Sequence, residues 1–188
     1  RRLGGGNQHR PDEQVRIGHL VLDTESKCGV LAKVNPPIRP REDVEYLWEQ
    51  VLAGNVDWIV SDHACCRQEM KIPRRYFGNI WMAKSGFGGT EYLLPALVSE
   101  GTRRGMDYNH MARVTSWNPA QRYGLNHKGD IEIGFDADLA LVDPACRCHS
   151  ITYPIWQPAR LAPLPRQLMR HTVTPHGDSK QRCLPCGR

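Results

Sequence analysis

The chain has 188 residues, 40% of them apolar and 24% charged, with a formal net charge of +5. That length allows one or two ordinary domains. The composition excludes a disordered or membrane-embedded chain, since no apolar run approaches the roughly 18–20 residues that span a bilayer.

The charge is uneven. Residues 146–188 carry seven basic side chains and one acid, so the preceding body is close to neutral. A nucleic-acid-binding domain concentrates its basic residues on the folded body, so neither nucleic acid nor membrane is an expected partner. Of the seven cysteines, Cys65 and Cys66 are adjacent and do not readily pair with each other. With no sign of an oxidising compartment, reduced thiols and a cytoplasmic location are expected. The chain opens Arg1-Arg2-Leu3-Gly4, without an initiating Met or a leader, and is expected to be a fragment.

Residues 1–16 are Gly-rich and polar without a period, which predicts a disordered end. Ile17–Asp23 reads as a short strand or loop. Val30–Asn35 is a stronger strand candidate, stopped by Pro36-Pro37 because proline cannot continue a sheet ladder. From Arg41 to Ala53, Val44, Leu47, Trp48, Val51 and Leu52 fall on one helical stripe. Glu42 and Asp43 suit the first turn and Gly54 suits a left-handed exit. Val56–Val60 is a compact apolar run of strand length, after which polarity jumps at Ser61-Asp62-His63. The order strand, helix, strand predicts a βαβ unit with parallel strands. Chemistry in such folds sits at the carboxyl ends of strands, where Asn35 and Asp62 both fall.

Residues 64–80 read as a charged loop and Ser85–Gly89 as a flexible turn. Thr90–Glu100 reads as a helix despite Pro95, and Tyr108–Trp117 as another. Asn118-Pro119 has the form of an N-cap followed by a first-turn proline. Lys128–Gly134 and Asp138–Asp143 read as strands of a small separate β unit. Residues 146–188, with six prolines and no period, read either as a disordered tail or as an out-of-frame translation.

Four segments carry the chemistry: Lys33-Val-Asn-Pro-Pro-Ile-Arg39, Val60-Ser-Asp-His-Ala-Cys-Cys66, Gly86-Phe-Gly-Gly-Thr-Glu91, and Asn118-Pro-Ala followed by Asp136-Ala-Asp-Leu-Ala-Leu-Val-Asp143. In this order they resemble the C-terminal half of the cyclic amidohydrolases (dihydroorotase, allantoinase and hydantoinase), over about residues 17–145. The resemblance implies an α/β fold: the last two strands and helices of a metal-dependent (β/α)8 TIM barrel, plus strands of a small β-sandwich. Residues 30–35 would be barrel strand seven and 56–62 strand eight. The implied organisation is a disordered end at 1–16, barrel at 17–125, sandwich strands at 126–145 and an irregular basic tail at 146–188.

By that resemblance Asp62 is the last-strand aspartate, touching the metal and acting as the base. A divalent metal brings the pKa of bound water to about 7, and a carboxylate beside it can carry that proton to the leaving nitrogen. The plain alternative is a loop-capping aspartate after a strand. Asn35 would contact the substrate amide, offering both donor and acceptor; otherwise it merely breaks the strand before Pro36. Phe87 and Gly88 belong to the loop that would hold the substrate ring, and this loop looks more like that of dihydroorotases and hydantoinases. Cys66 stands where dihydroorotases carry a substrate-contacting His and allantoinases carry Cys, and Glu69-Met70-Lys71 follows as it does in allantoinases. Cys65 replaces the family's usual Pro. His63 would support Asp62 without touching substrate, and Arg39 is assigned a structural role.

The implied activity is hydrolysis of a cyclic C–N bond in a small ureide or imide. The implied cofactor is a divalent metal, expected to be zinc, in a binuclear site of an enzyme that is a homo-oligomer when complete. The family's His-x-His pair, carbamylated Lys and two further His ligands are not in this chain, so the chain alone is expected to be inactive and poorly folded or self-associating. The alternative is a non-catalytic scaffold of the same fold that forms oligomers. Two readings of the tail carry less. Cys146-x-Cys148-His149 and Cys183-x-x-Cys186 have zinc-ligand types but lack elements to bring them together. The basic tail lacks interleaved aromatics for nucleic-acid stacking beyond Tyr153 and Trp156.

Overall fold

A computed structural model describes residues 12–65, 71–143 and 172–175, the last four as backbone. The first element is a strand, β1 (Gln14–Arg16), that runs directly into α1 (Ile17–Val21). All five residues of α1 are buried, as is His19 within it. A 3-10 turn follows at Gly29–Ala32, then α2 (Arg41–Leu52) and β2 (Trp58–Val60). β1 and β2 pair in parallel, with Gln14 opposite Trp58, Val15 opposite Ile59 and Arg16 opposite Val60.

The parallel pair joined through a helix matches the expected βαβ order, but its first strand is not the expected one. Residues 30–35 do not form barrel strand seven. Val30 and Leu31 turn into a small cluster with Ile72, Ala83 and Tyr76, so their apolar side chains are satisfied without a ladder. A short apolar run does not by itself distinguish a strand from a buried turn. The strand lies instead in the segment read as the disordered end, and the Ile17–Asp23 stretch read as strand or loop contains α1.

α2 keeps its predicted bounds within one residue. Val44, Trp48 and Val51 are buried at i, i+4 and i+7, and Gly54 leaves the helix at φ 76°. The Trp48 indole Nε1 donates to the Leu20 carbonyl at 2.8 Å. The Arg104 guanidinium lies over the face of the ring, 4.9 Å from its centroid. Arg104 also pairs with Glu45, and that hydrogen bond holds the Glu45 carboxyl below its usual range. The main core joins α1, α2 and β2 to the later helices through Leu97, Val98 and Val114.

α3 (Thr90–Arg103) continues through Pro95. α4 (Tyr108–Ala112) starts on Asp107, whose side chain accepts from the His110 amide. The predicted helix to Trp117 is present, but its last turn is wound as a π-helix at Arg113–Trp117 and passes into α5 (Asn118–Arg122). Asn118 is therefore not an N-cap. Its backbone is helical (φ −60°, ψ −45°), and its side-chain amide donates to the Asp57 carbonyl at 2.6 Å, tying α5 to the entrance of β2.

Lys128–Gly134 is not a strand. Gly129 and Gly134 take φ 94° and 93°, and Ile131 and Ile133 are exposed. Lys128 pairs with Asp136 at 2.9 Å and also with Asp138, so alternation here reflects a charged turn. Of Asp138–Asp143, β3 (Ala140–Asp143) is a strand, antiparallel to β4 (Thr172–Pro175). β4 falls inside the segment read as lacking regular elements. The cysteines and His149 of the tail lie outside the described residues. Among the described residues no helix is long and apolar enough to cross a membrane.

Candidate functional site

β2 ends at Val60, and Asp62 stands two residues beyond it, at the carboxyl end of the strand. Asp62 is the one described non-glycine residue with positive φ, 48°. Aspartate tolerates this left-handed conformation better than most side chains. Its carboxylate is half exposed, and Oδ2 lies 2.9 Å from Nε of Arg16, the last residue of β1. Nη1 of the same guanidinium donates to the carbonyl of Asn35. Arg16 thus joins the ends of both strands to the loop that carries Asn35.

Asn35 is exposed and precedes a cis peptide bond to Pro36. It does not end a strand, contrary to expectation, yet the Arg16 contact brings it to the same mouth as Asp62. The Pro36 carbonyl accepts from Nε2 of the buried His19 at 3.0 Å. Since a carbonyl only accepts, the His19 proton sits on Nε2.

His63 faces the glycine-rich loop. Its Nδ1 lies 3.1 Å from the Gly89 amide and 3.3 Å from the Thr90 amide, both directed at it. An Nδ1 that accepts from two amides carries no proton, so the ring is neutral with its hydrogen on Nε2. Gly89 and Thr90 open α3, whose first amides have no partner within the helix, and His63 serves as their cap. The fit is close: a Cβ on Gly88 would lie 3.3 Å from the His63 ring. Replacing His63 with Ala should cost about 1 kcal/mol, the usual value of a helix cap. His63→Asn, whose Oδ1 can stand near the Nδ1 position, should retain most of it. Urea denaturation of the three proteins measures this, and equal loss in both variants would remove the capping role.

Phe87 lies over Gly18 so closely that a Cβ there would meet its ring at 2.9 Å. Beneath Phe87 is an apolar cavity of about 40 Å³, bordered by Ile17, Cys28, Ser61, Gly88 and Tyr92. Burial pushes up both the Cys28 thiol and the Tyr92 phenol, the latter helped by Glu91, so the cavity wall is uncharged at neutral pH. Cys66 lies outside the described residues; its neighbour Cys65 is exposed and free.

The described residues therefore bring Asp62, Asn35 and Arg16 together, with His63 beside Asp62 in sequence and Phe87 and Gly88 on the adjoining loop. Arg16 was not singled out by the sequence reading. An arginine in a polar stretch carries no periodic signal, and only the pairing of β1 with β2 brings it to Asp62. The amidohydrolase family generally uses a divalent metal. Among the described residues, however, no group of three or more His, Cys, Asp or Glu side chains could hold one, and the Asp62 carboxylate is turned to a guanidinium. These residues do not by themselves fit a resident metal.

Comparison with known proteins gives the family of the chain. The sequence profile described as "Amidohydrolase family" matches residues 20–173. An allantoinase of Rubrobacter xylanophilus is 48% identical over 131 residues, covering 68% of this chain and 28% of that protein. An allantoinase of Salmonella newport is 38% identical over 129 residues, covering 67% and 27%. Among solved structures, the L-hydantoinase (dihydropyrimidinase) of Arthrobacter aurescens superposes with a TM-score of 0.64 at 29% identity, covering 70% of this chain and 30% of that one. The chain thus spans little more than a quarter of the length of the allantoinases it matches.

Proposed function

The chain belongs to the amidohydrolase family, and on that footing we propose that it forms the last-strand side of an active site that hydrolyses a ring C–N bond in a small cyclic ureide. Allantoin is the first choice of substrate, on the identity to allantoinases, and hydantoin the second, on the likeness to a hydantoinase structure. The observation that carries the reading is the convergence of a strand-end carboxylate and an amide-bearing loop on one guanidinium, Arg16.

Asp62 accepts the proton of the attacking water as the new C–O bond forms, and returns it to the ring nitrogen as the C–N bond breaks. A carboxylate can serve in both directions because it is released unprotonated at the end. Asn35 presents an amide N–H and a carbonyl, matching the alternating carbonyl and N–H edge of a ureide. Phe87 covers one side of the ring, and Gly88 offers its backbone groups on the same loop.

The test is a chimera in which the matching stretch of the R. xylanophilus allantoinase is replaced by residues of this chain, assayed with allantoin, hydantoin and dihydroorotate. Turnover of allantoin within about tenfold of the parent is expected, a loss of roughly 1.4 kcal/mol of transition-state stabilisation at most. A folded chimera that opens none of the three rings would overturn the reading in favour of a non-catalytic scaffold.

A further inference from the structure

Lys71 is buried, with 3% of its surface exposed, and its ammonium reaches two backbone carbonyls. Nζ donates to the Lys33 carbonyl at 2.8 Å and to the Gly86 carbonyl at 2.5 Å. Burying an ammonium is costly unless its donors are well satisfied, so this placement is energetically demanding. What it joins gives a reason for keeping it. Lys33 is two residues before Asn35, and Gly86 is the residue before Phe87 and Gly88. The same two loops meet again through the backbone, the Gly86 amide donating to the Lys33 carbonyl at 2.9 Å. The Phe87 carbonyl is in turn held by the Ala64 amide at 3.0 Å, two residues beyond Asp62.

We propose that Lys71 is a positioning residue that fixes the distance between the Asn35 loop and the Phe87–Gly88 loop, and so sets the width of the opening that accepts a small cyclic ureide. The inference rests on the reading of those residues as substrate contacts. Three donors and three acceptors form a closed chain from the Asn35 loop through Lys71 to the glycine-rich loop and back to the end of β2. The His63 cap holds that loop at Gly89 while Lys71 holds it at Gly86. Phe87 and Gly88, between the two anchors, have little freedom left. A neutral side chain of similar length at position 71 fills the volume but supplies no donor, so the Gly86 carbonyl loses the ammonium and the Lys33 carbonyl keeps only the Gly86 amide.

The experiment uses the full chain as wild type, Lys71→Met and Lys71→Arg. Amide hydrogen exchange reads the clamp and titration with hydantoin reads its purpose. In Lys71→Met, the Gly86 and Ala64 amides should exchange at least tenfold faster, while Val51 in α2 and Val98 in α3 keep wild-type protection. Hydantoin binding should weaken at least tenfold. Lys71→Arg, which can still donate to both carbonyls, should restore protection at Gly86 and most of the binding. If Lys71→Met does not fold, Lys71→Arg decides alone: a fast-exchanging Gly86 amide in that variant overturns the clamp. Unchanged exchange in Lys71→Met, or equal loss across α2 and α3, also overturns it. Wild-type chain that binds neither allantoin nor hydantoin at Asn35 or Gly88 overturns the substrate reading, whereas wild-type binding that Lys71→Met leaves intact overturns the positioning role alone.

Discussion

In the allantoinase chimera, Asp62→Asn lowers kcat/KM by about 10²- to 10⁴-fold, the range over which a positioned acid–base group contributes. Asparagine is the informative replacement because position 62 has φ 48°. Asn visits this region readily, whereas Ala there adds strain to the loss of chemistry. The amide is also nearly isosteric and can still accept from Arg16. Stability should change little, since an ion pair half open to solvent contributes only about 0–1 kcal/mol. Steady-state turnover together with a thermal melt measures both. An Asp62→Asn protein that retains turnover within a few-fold of the parent would mean that the proton passes elsewhere.

The largest effect on folding is expected at Trp48. Among the described residues it is the biggest fully buried side chain, bonded through its indole to the Leu20 carbonyl. Truncation to Ala removes contacts worth about 3–5 kcal/mol, and the stranded Leu20 carbonyl adds about 1–3 kcal/mol. Against a total of about 5–15 kcal/mol for a typical domain, that is enough to unfold a marginal one. Trp48→Phe keeps most of the volume but no donor, and should cost about half as much by the same two contributions. Urea unfolding followed by far-ultraviolet circular dichroism measures both variants. If Trp48→Ala unfolds at the wild-type midpoint, the packing of α1 on α2 is not what holds this part together.

Trp48 also illustrates what the sequence makes readable. The α2 stripe is local: five apolar residues at helical spacing identify the helix before any partner is known, and Val44, Trp48 and Val51 among them are its buried face, whereas Leu52 is exposed. β2 is legible for a related reason, being a short β-rich run with a sudden polar end. Asp62 was reached through its flanking motif, and the fold puts it at a strand terminus. β1 was not legible. Gln14-Val15-Arg16 has one apolar residue and is a strand only because β2, more than forty residues later, supplies its ladder. The 30–35 run failed in the opposite sense, apolar enough for a strand but folded onto Ile72 and Ala83. Arg16 and Lys71 share that non-local character. Each is an ordinary basic residue until distant backbone is brought against it.

The Arg16 contact makes this corner sensitive to counting. Successive side chains of a strand point to opposite sides, so deleting Ile17 at the start of the buried α1 would move Val15 into the place of Arg16 and Arg16 into the buried place of Ile17. The guanidinium would then face the apolar interior and a valine would meet the Asp62 carboxylate. A frame of three paired residues could survive such a slip as a ladder, while the side chains that answer one another across it would no longer meet.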